Sequence, residues 1–317
     1  MAFAIISDLH SNLSALKAVF NDIDSFSKRT NVDGIYCLGD IIGYGCQPVE
    51  VLNLISQRVD CKNVVRGNHE EFYWGNLKED VDSKALLMIS YNKYLIEQDS
   101  FARDMMQSLF NTSAVYKMIK KGKFDIVLTH NGPAADYTNY RLPWHKEVLL
   151  PSLITEFRQV QDGKKPTSIF HRKMQHLYFF GHTHFPTIYC YNRQNGVGYE
   201  IKPKDEVSLV EECGDAEYIL LNPGSVGYSR DGNPHASYMI IDDKREMLYH
   251  RRVDYSFDPE GYKAAKVWLK ENYSELSKVQ IEDLVDKVHQ TARHGVFGAN
   301  VATLPDDSWR KYYKVNL

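Results

Sequence analysis

Residues 3–10 read Phe3-Ala4-Ile5-Ile6-Ser7-Asp8-Leu9-His10, an apolar run that ends in an aspartate and a histidine. A short apolar run of this kind is typical of a buried β-strand. Apolar residues then recur at helical spacing through residues 13–20, so a helix should follow the strand after a polar loop. Asp8 and His10 are therefore expected at the carboxyl end of a strand, in the loop that leads to a helix.

The same order of strand, polar loop and helix recurs along the first half of the chain. Strands are predicted at residues 34–38, 63–65 and 124–130, and helices at residues 49–55, 80–109 and 142–161. The strands run into polar side chains, such as Asp40 after the first of them. This alternation indicates an α/β protein.

The second half of the chain is richer in strands and ends in helices. Residues 176–180 are an apolar run that leads into Gly181-His182-Thr183-His184. Further strands are predicted at residues 187–191, 199–201, 218–221, 237–241 and 247–253, and two helices within residues 258–293. No linker rich in proline, glycine or serine separates these parts. We therefore expect one domain over residues 1–256, with a helical C-terminal extension, residues 257–317, packed on it.

The composition excludes several classes of protein. Of the 317 residues, 43% are hydrophobic, which is too many for a disordered chain. The net charge of −3 gives no field that attracts a long polyanion, so nucleic acid is not an expected partner. No apolar run approaches the roughly 18 residues of a membrane span, and no signal peptide is evident. The five cysteines are widely spaced, which fits reduced thiols, so we expect a cytoplasmic protein that does not associate with membranes.

Metal-competent side chains follow five of the predicted strands. They are Asp8, His10, Asp40, Asn68, His130, His182 and His184. The carboxyl ends of strands in an α/β sheet meet in one crevice, so side chains far apart in sequence converge there. Side chains two positions apart on an extended segment also point to the same side, which would let the Asp8/His10 and His182/His184 pairs each offer two groups. These donors suit Mn²⁺, Fe²⁺ or Zn²⁺, and seven exceed the need of one ion, so we expect two metals that share a carboxylate.

The ordered set of motifs resembles the calcineurin-like metallophosphoesterase superfamily. The motifs are Asp8-x-His10, Gly39-Asp40, Gly67-Asn68-His69-Glu70, His130 and Gly181-His182-Thr183-His184. Residues 222–227, NPGSVG, and residues 230–234, RDGNP, look like the compact bacterial and archaeal phosphoesterase branch. The match spans about residues 1–256.

The resemblance implies a fold, a metal site and a reaction. The fold is a four-layer αββα sandwich. One metal ion would be held by Asp8, His10, Asp40 and His184, and the second by Asp40, Asn68, His130 and His182, so that Asp40 bridges them. Mn²⁺ is the expected ion, with Fe or Zn as alternatives. A hydroxide between the ions would attack a small phosphoester in line, for example a nucleotide, and His69 would protonate the leaving oxygen as general acid.

Residues 39–45, GDIIGYG, depart from two branches of the superfamily. Protein serine/threonine phosphatases and symmetrical dinucleoside tetraphosphatases read Gly-Asp-x-x-Asp-Arg-Gly at this place. Gly43 replaces the acid that would orient the catalytic histidine, and Tyr44 replaces a phosphate-binding arginine. These two activities are therefore disfavoured, and the orientation of His69 is left without an explanation.

Three side chains are candidates for binding the substrate phosphate, namely Arg66, Tyr44 and Arg230. A guanidinium suits bidentate phosphate binding, which is the reason for naming the two arginines. Arg230 could instead be a surface salt-bridge partner, and the loop around Tyr44 could be an ordinary turn.

Two other functions remain open on the same fold. One is a catalytically silent protein-binding scaffold, which would not need to keep His69 and all seven metal-competent residues. The other is a nuclease of the same superfamily. Its Gly-Asn-His motif usually ends in Asp where this chain has Glu70, and the chain lacks the basic surplus expected for nucleic acid.

Overall fold

Two β-sheets pack face to face in the computed structural model, which describes residues 2–76, 83–122, 124–130, 175–192, 197–214, 216–274 and 276–295. The strands are β1 (Ala2–Ile6), β2 (Val32–Cys37), β3 (Tyr116–Lys121), β4 (Phe124–Thr129), β5 (Gln175–Phe179), β6 (Thr187–Asn192), β7 (Val197–Ile201), β8 (Val207–Ser208), β9 (Tyr218–Asn222), β10 (Ala236–Asp242) and β11 (Met247–Val253). The helices are α1 (Leu13–Ser27), α2 (Pro48–Arg58), α3 (Asn68–Trp74), α4 (Ser83–Gln98), α5 (Ser100–Thr112), α6 (Glu260–Asn272) and α7 (Lys278–His294).

Both sheets mix parallel and antiparallel strands. The first has the order β2-β1-β10-β11-β8, and only β1 and β2 are parallel neighbours. The second has the order β3-β4-β5-β9-β6-β7, in which β4, β5 and β9 are parallel. The carboxyl ends of β1 and β2 therefore lie side by side, and so do those of β4 and β5.

Alternate side chains of the strands enter a core between the two sheets. In β1, Phe3 and Ile5 belong to this core, whereas Ala4 and Ile6 face the helices on the other side of the sheet. The alternation follows from the period of two in an extended chain. It explains why β1, which is buried on both faces, reads as an unbroken apolar run.

Helices cover the outer face of the first sheet. All seven of the described α-helices share one buried core with that face, α3 through Tyr73. The outer face of the second sheet is also buried, for example at Tyr178 and Leu220. The αββα class is confirmed by the two mixed sheets with their helices, and helices α6 and α7 form the predicted C-terminal extension. The helix predicted over residues 142–161 lies outside the described residues, and a boundary at residue 256 stays a prediction.

The predicted elements differ from the structure in five places, and two of these are the short helix α3 and the two-residue strand β8, which were not predicted. Strand β3 was not predicted, because its side chains alternate between exposed and half-buried and include three lysines, as suits an edge strand. Residues 63–65 form no strand and make single bridges to neighbouring segments. The helix predicted over residues 80–109 is two helices, since Asp99 accepts a hydrogen bond from the Ala102 amide and begins α5.

No helix within the described ranges is long and apolar enough to cross a membrane.

Hydrogen bonds to Asp22 link α1 to the first sheet. Its carboxylate accepts hydrogen bonds from the Tyr238 hydroxyl at 2.7 Å and from Nε and Nη2 of Arg251 at 3.0 and 2.9 Å. Burial alone raises the pKa of Asp22, but the hydrogen bonds from Arg251 and Tyr238 lower it below the usual 3.8. The same helix carries Asp24, which is 56% exposed and pairs with Arg58.

We expect Asp22→Asn to lower the free energy of unfolding by about 2 kcal/mol, because charge-assisted hydrogen bonds contribute about 1.5–3 kcal/mol each. Asp24→Asn is the matched control and should cost less than about 1 kcal/mol. Because the pKa of Asp22 is depressed, its contribution is complete above about pH 4 and is lost as the pH falls further. Urea unfolding of both variants at pH 7 and pH 3.5 tests this. Equal losses for the two variants at pH 7 would contradict it.

Candidate metal centre

The seven predicted metal ligands lie together at the carboxyl ends of the strands. Asp8 and His10 follow β1, Asp40 follows β2, His130 follows β4, and His182 and His184 follow β5. Asn68 begins the short helix α3. All seven are at most 7% exposed, so the cluster is enclosed by the protein.

Five of these residues have left-handed backbone conformations. They are Asp8, His10, Asp40, His182 and His184, with φ between 46° and 65°. The expectation that the two pairs lie on extended segments is therefore wrong, because the chain turns sharply at each of these residues. Such a conformation costs on the order of 1–3 kcal/mol per residue, and it persists only where the surroundings fix it. Here backbone hydrogen bonds fix it, for example from the amides of Asp8 and His10 to the carbonyls of Gly39 and Asp40.

The ligand atoms form two groups that share Asp40. Asp8, His10, Asp40 and His184 make up one group, and Asp40, His130 and His182 the other, with the ligand atoms of each group within 4.8 Å of one another. Asp40 Oδ2 lies 3.8 Å from His10 Nε2 and 3.2 Å from His130 Nε2. Its other oxygen, Oδ1, accepts a hydrogen bond from the His69 amide at 2.9 Å. One carboxylate oxygen thus faces both groups, while the backbone holds the other.

Asn68 joins the second group. Its Oδ1 lies 3.0 Å from His130 Nε2 and 2.9 Å from His182 Nδ1. The structure therefore brings together the same two sets of residues that the resemblance implies.

Three of the histidines are oriented by backbone carbonyls. The Nδ1 atoms of His10, His130 and His184 bond to the carbonyl oxygens of Ile42, Leu38 and Tyr228, respectively. Because a carbonyl only accepts, we assign the proton to Nδ1, and the inward Nε2 of each neutral ring carries a lone pair. Yet Nε2 of His10 and Nε2 of His184 are only 3.0 Å apart. Two lone pairs at this distance repel each other unless a cation lies between them, so the donor set fits a metal ion.

Burial and neighbouring charges favour, at Asp8, Asp40 and His182, the protonation states that metal ligands need. Burial raises the pKa of Asp8 and of Asp40, but neighbouring histidines outweigh it and hold both pKa values below the usual range. Burial and the charge of His130 lower the pKa of His182 to about 3. His130 is the exception, since Asp40 overcomes the effect of burial and raises its pKa to about 9. The position beside Asp40 thus attracts positive charge.

The comparisons with known proteins agree with this geometry. The calcineurin-like phosphoesterase family model matches residues 1–186. The chain belongs to the calcineurin-like phosphoesterase family. The uncharacterised protein MJ0912 of Methanocaldococcus jannaschii is 32% identical over 269 residues, which are 84% of this chain and 93% of that protein. The resemblance inferred from the motifs is confirmed.

Two solved structures share the fold. A metallophosphoesterase from Sphaerobacter thermophilus has a TM-score of 0.57 at 24% identity, and 92% of this chain and 99% of that chain are covered. The hypothetical protein PH1004 from Pyrococcus horikoshii OT3 has a TM-score of 0.61 at 14% identity, with 94% and 99% covered. At these identities the likeness shows the phosphoesterase fold.

Sequence reasoning missed the role of Glu70 in this phosphoesterase. Its carboxylate is 1% exposed and accepts four backbone hydrogen bonds. Oε2 accepts from the amides of Asp40 and Gly67, and Oε1 from those of Ile41 and Ile42. Glu70 therefore joins the loop that carries Asp40 to the turn that carries Asn68. A glutamate three residues after a helix N-cap is a known capping signal and could have indicated part of this role.

The predicted acid, His69, lies beside the cluster. Its Nε2 is 3.8 Å from Asp40 Oδ2, and its ring makes an edge contact with the ring of Tyr44 at 5.0 Å. Burial lowers the pKa of His69 to about 4. A Cβ atom at position 43 would lie 2.1 Å from its Nδ1, so only glycine leaves room for the ring there.

Of the three predicted phosphate-binding residues, Arg230 and Tyr44 contact each other near the cluster, whereas Arg66 pairs with another residue. Arg230 is only 3% exposed, which excludes the alternative of a surface salt bridge, and its Nη2 donates to the Tyr44 hydroxyl at 3.2 Å. Its positive charge contributes to lowering the pKa values of His69 and His184, so it lies close to the cluster. Within the described ranges, Arg66 pairs with Glu71 at 3.5 Å and not with a group of the cluster.

We expect Glu70→Gln to lower the free energy of unfolding by about 2–4 kcal/mol. An amide nitrogen would replace one oxygen and leave two buried N–H groups without an acceptor, and each costs about 1–3 kcal/mol. Glu71→Gln on the same helix is the control, because Glu71 bonds to the Asn76 side chain and pairs with Arg66, whose side chain is partly exposed. Denaturant unfolding measures both variants. A Glu70 variant as stable as the Glu71 variant would show that these bonds contribute little.

Proposed function

We propose that this phosphoesterase binds two divalent ions and hydrolyses a small phosphomonoester or phosphodiester such as a nucleotide. The observation that carries the proposal is the pair of ligand groups that share Asp40, with His10 and His184 facing each other at 3.0 Å. Mn²⁺ is the proposed ion, and Fe or Zn are the alternatives, because mixed carboxylate, amide and imidazole donors suit these metals. When bound, two such ions lower the pKa of water and polarise a phosphoryl oxygen.

The residues of the protein have separate tasks in this proposal. Asp40 would hold both ions, because one of its oxygens faces both ligand groups while the other accepts a hydrogen bond from the His69 amide. His69 gives a proton to the leaving oxygen. Burial lowers the pKa of His69 to about 4, and the negative charge of a bound phosphate beside the ring would raise it.

Arg230 is the proposed phosphate ligand from the protein. Its guanidinium lies 5.7 Å from the ring centres of both Tyr44 and Tyr228, which stack on each other at 4.1 Å. Rings in this position restrict the guanidinium to one orientation. The cation that binds phosphate would thus come from the loop after β9, and Tyr44 would position it. Arg66, which pairs with Glu71 at 3.5 Å, is the second candidate for this role.

We expect the purified protein with Mn²⁺ to hydrolyse p-nitrophenyl phosphate or bis-p-nitrophenyl phosphate. Asp40→Ala should lose both ions and all activity, because both groups contain Asp40, and Asn68→Ala should lose the second ion and activity. Elemental analysis and steady-state kinetics measure the two properties. Asp60→Ala, at a side chain that is 51% exposed, is the control and should keep both. If the protein binds two ions but hydrolyses neither ester and no nucleotide of a panel, the proposal is wrong and a protein-binding scaffold is favoured.

His69→Ala should keep both ions and lose turnover on esters with poor leaving groups. General acid catalysis contributes about 10²–10⁴-fold, and a leaving group that departs without a proton needs it least. We therefore expect kcat to fall much more for a phenyl ester than for the p-nitrophenyl ester. His235→Ala is the matched control, since His235 is 45% exposed and pairs with Asp254. Full activity of the His69 variant on the phenyl ester would show that another group is the acid.

A further inference from the structure

Asn92 is fully buried on α4 and bonds to the segment that lies against His69. Its Oδ1 accepts hydrogen bonds from the Ser11 hydroxyl at 2.6 Å and from the Gly43 amide at 2.9 Å. Its Nδ2 donates to the Gly45 carbonyl at 2.8 Å. One amide side chain therefore fixes both ends of the segment 43–45, which we call the Tyr44 loop.

The ring of His69 depends on this loop for its orientation. Its Nδ1 is buried and has no hydrogen-bond partner within the part of the chain that the structure describes. The backbone of Gly43 lies directly against Nδ1, and the rings of Tyr44 and His10 make edge contacts at 5.0 and 4.6 Å. A shift of the loop would therefore leave the ring free to turn.

We propose that Asn92 is a positioning residue for His69, which acts through the Tyr44 loop in place of an acidic partner. This rests on the proposed function, in which His69 protonates the leaving oxygen. An acid bonded to Nδ1 would fix the ring directly. Here the three hydrogen bonds of Asn92 fix the loop, and packing against the loop fixes the ring.

An acid could not simply be added at position 43. Gly43 has a φ of +132°, a backbone conformation that residues other than glycine rarely adopt. Any Cβ at this position would also overlap His69 Nδ1. Gly43→Ala is therefore a second variant that should displace His69 without changing Asn92. Asn92→Asp is the conservative variant, because it keeps the two bonds that Oδ1 accepts, and in the protonated form that burial favours its O–H donates to the Gly45 carbonyl in place of Nδ2.

The first experiment follows the imidazole signals of His69 by NMR in Zn²⁺-loaded protein with labelled histidine. The signal is assigned by its loss in His69→Ala. Ring contacts with Tyr44 and His10 make its chemical shift sensitive to orientation. We expect the signal to move in Asn92→Ala and Gly43→Ala, to move less in Asn92→Asp, and to stay in place in Ser90→Ala, which changes α4 at an exposed hydroxyl. An unmoved signal in both Asn92 variants would overturn the inference.

The second experiment measures kcat and KM on a p-nitrophenyl ester and the matching phenyl ester. Asn92→Ala should lower kcat on the phenyl ester about 10–100-fold, as expected for a small misplacement of a catalytic group, with a smaller loss on the p-nitrophenyl ester and little change in KM. The double variant with His69→Ala should be no slower than His69→Ala alone. Losses that add in the double variant, or that are equal for the two esters, would mean that Asn92 has only a structural role.

The two proposals can fail separately. If the metal-loaded wild type hydrolyses neither the p-nitrophenyl esters nor the nucleotide panel, the proposed function fails, and the NMR experiment still decides whether Asn92 orients His69. If the wild type is active and the His69 signal does not move in the Asn92 variants, only the positioning role fails.

Discussion

The buried carboxylate of Glu70 fixes the loop that carries Asp40 and the turn that carries Asn68 relative to each other. It is the shared acceptor for backbone amides of the two segments that supply Asp40 and Asn68, which are 28 residues apart in sequence. A carboxylate that is buried next to Asp40 is electrostatically unfavourable, and this burial and repulsion raise the pKa of Glu70 to about 7. Its four hydrogen bonds offset this cost only if both segments keep their places. The interaction therefore makes the positions of Asp40 and Asn68 depend on each other.

The backbone of the site stores strain that the rest of the fold must offset. Five of the predicted ligand residues have a positive φ, and together these conformations cost several kcal/mol, by the order of magnitude given for such residues. The compensation comes from the two packed sheets, whose strands end at the loops and hold them by hydrogen bonds such as that from the Gly181 amide to the His130 carbonyl. Strain of this kind is common where side chains must converge on one point. The packing free energy of the two sheets thus offsets the backbone strain that places the side chains of the loops.

Most of the fold could be predicted, and so could the convergence of the seven predicted metal ligands, because both follow from local patterns. Buried strands such as β1 are apolar throughout, and metal-competent side chains directly after strands stand out in the sequence. The edge strand β3 could not be predicted, since its lysines give no apolar signal. The turns at Asp8 and His182 could not be predicted either, because a left-handed backbone at an aspartate or a histidine depends on distant hydrogen bonds.

Residues that act through backbone contacts were the hardest to find. Asn92 looks like any polar residue of a helix, and its partners are 47 to 81 residues away in sequence. Arg230 was named for its charge alone, and the sequence could not tell that two tyrosines surround it in the interior. Such roles become visible only when the loops are seen in place.

The C-terminal helices contact three of the segments that shape the surroundings of His69. Gly261 of α6 lies against Cys46, where a Cβ atom would come within 2.5 Å of the cysteine Cβ. The Gly232 amide donates to the carbonyl of Gly295 at the end of α7. Trp268 packs on Tyr91 and Tyr94, which flank Asn92 on α4. The extension therefore packs on the elements that carry Tyr44, Arg230 and Asn92. If these residues position the acid and the phosphate, the precision of the site depends on helices that supply no ligand to it.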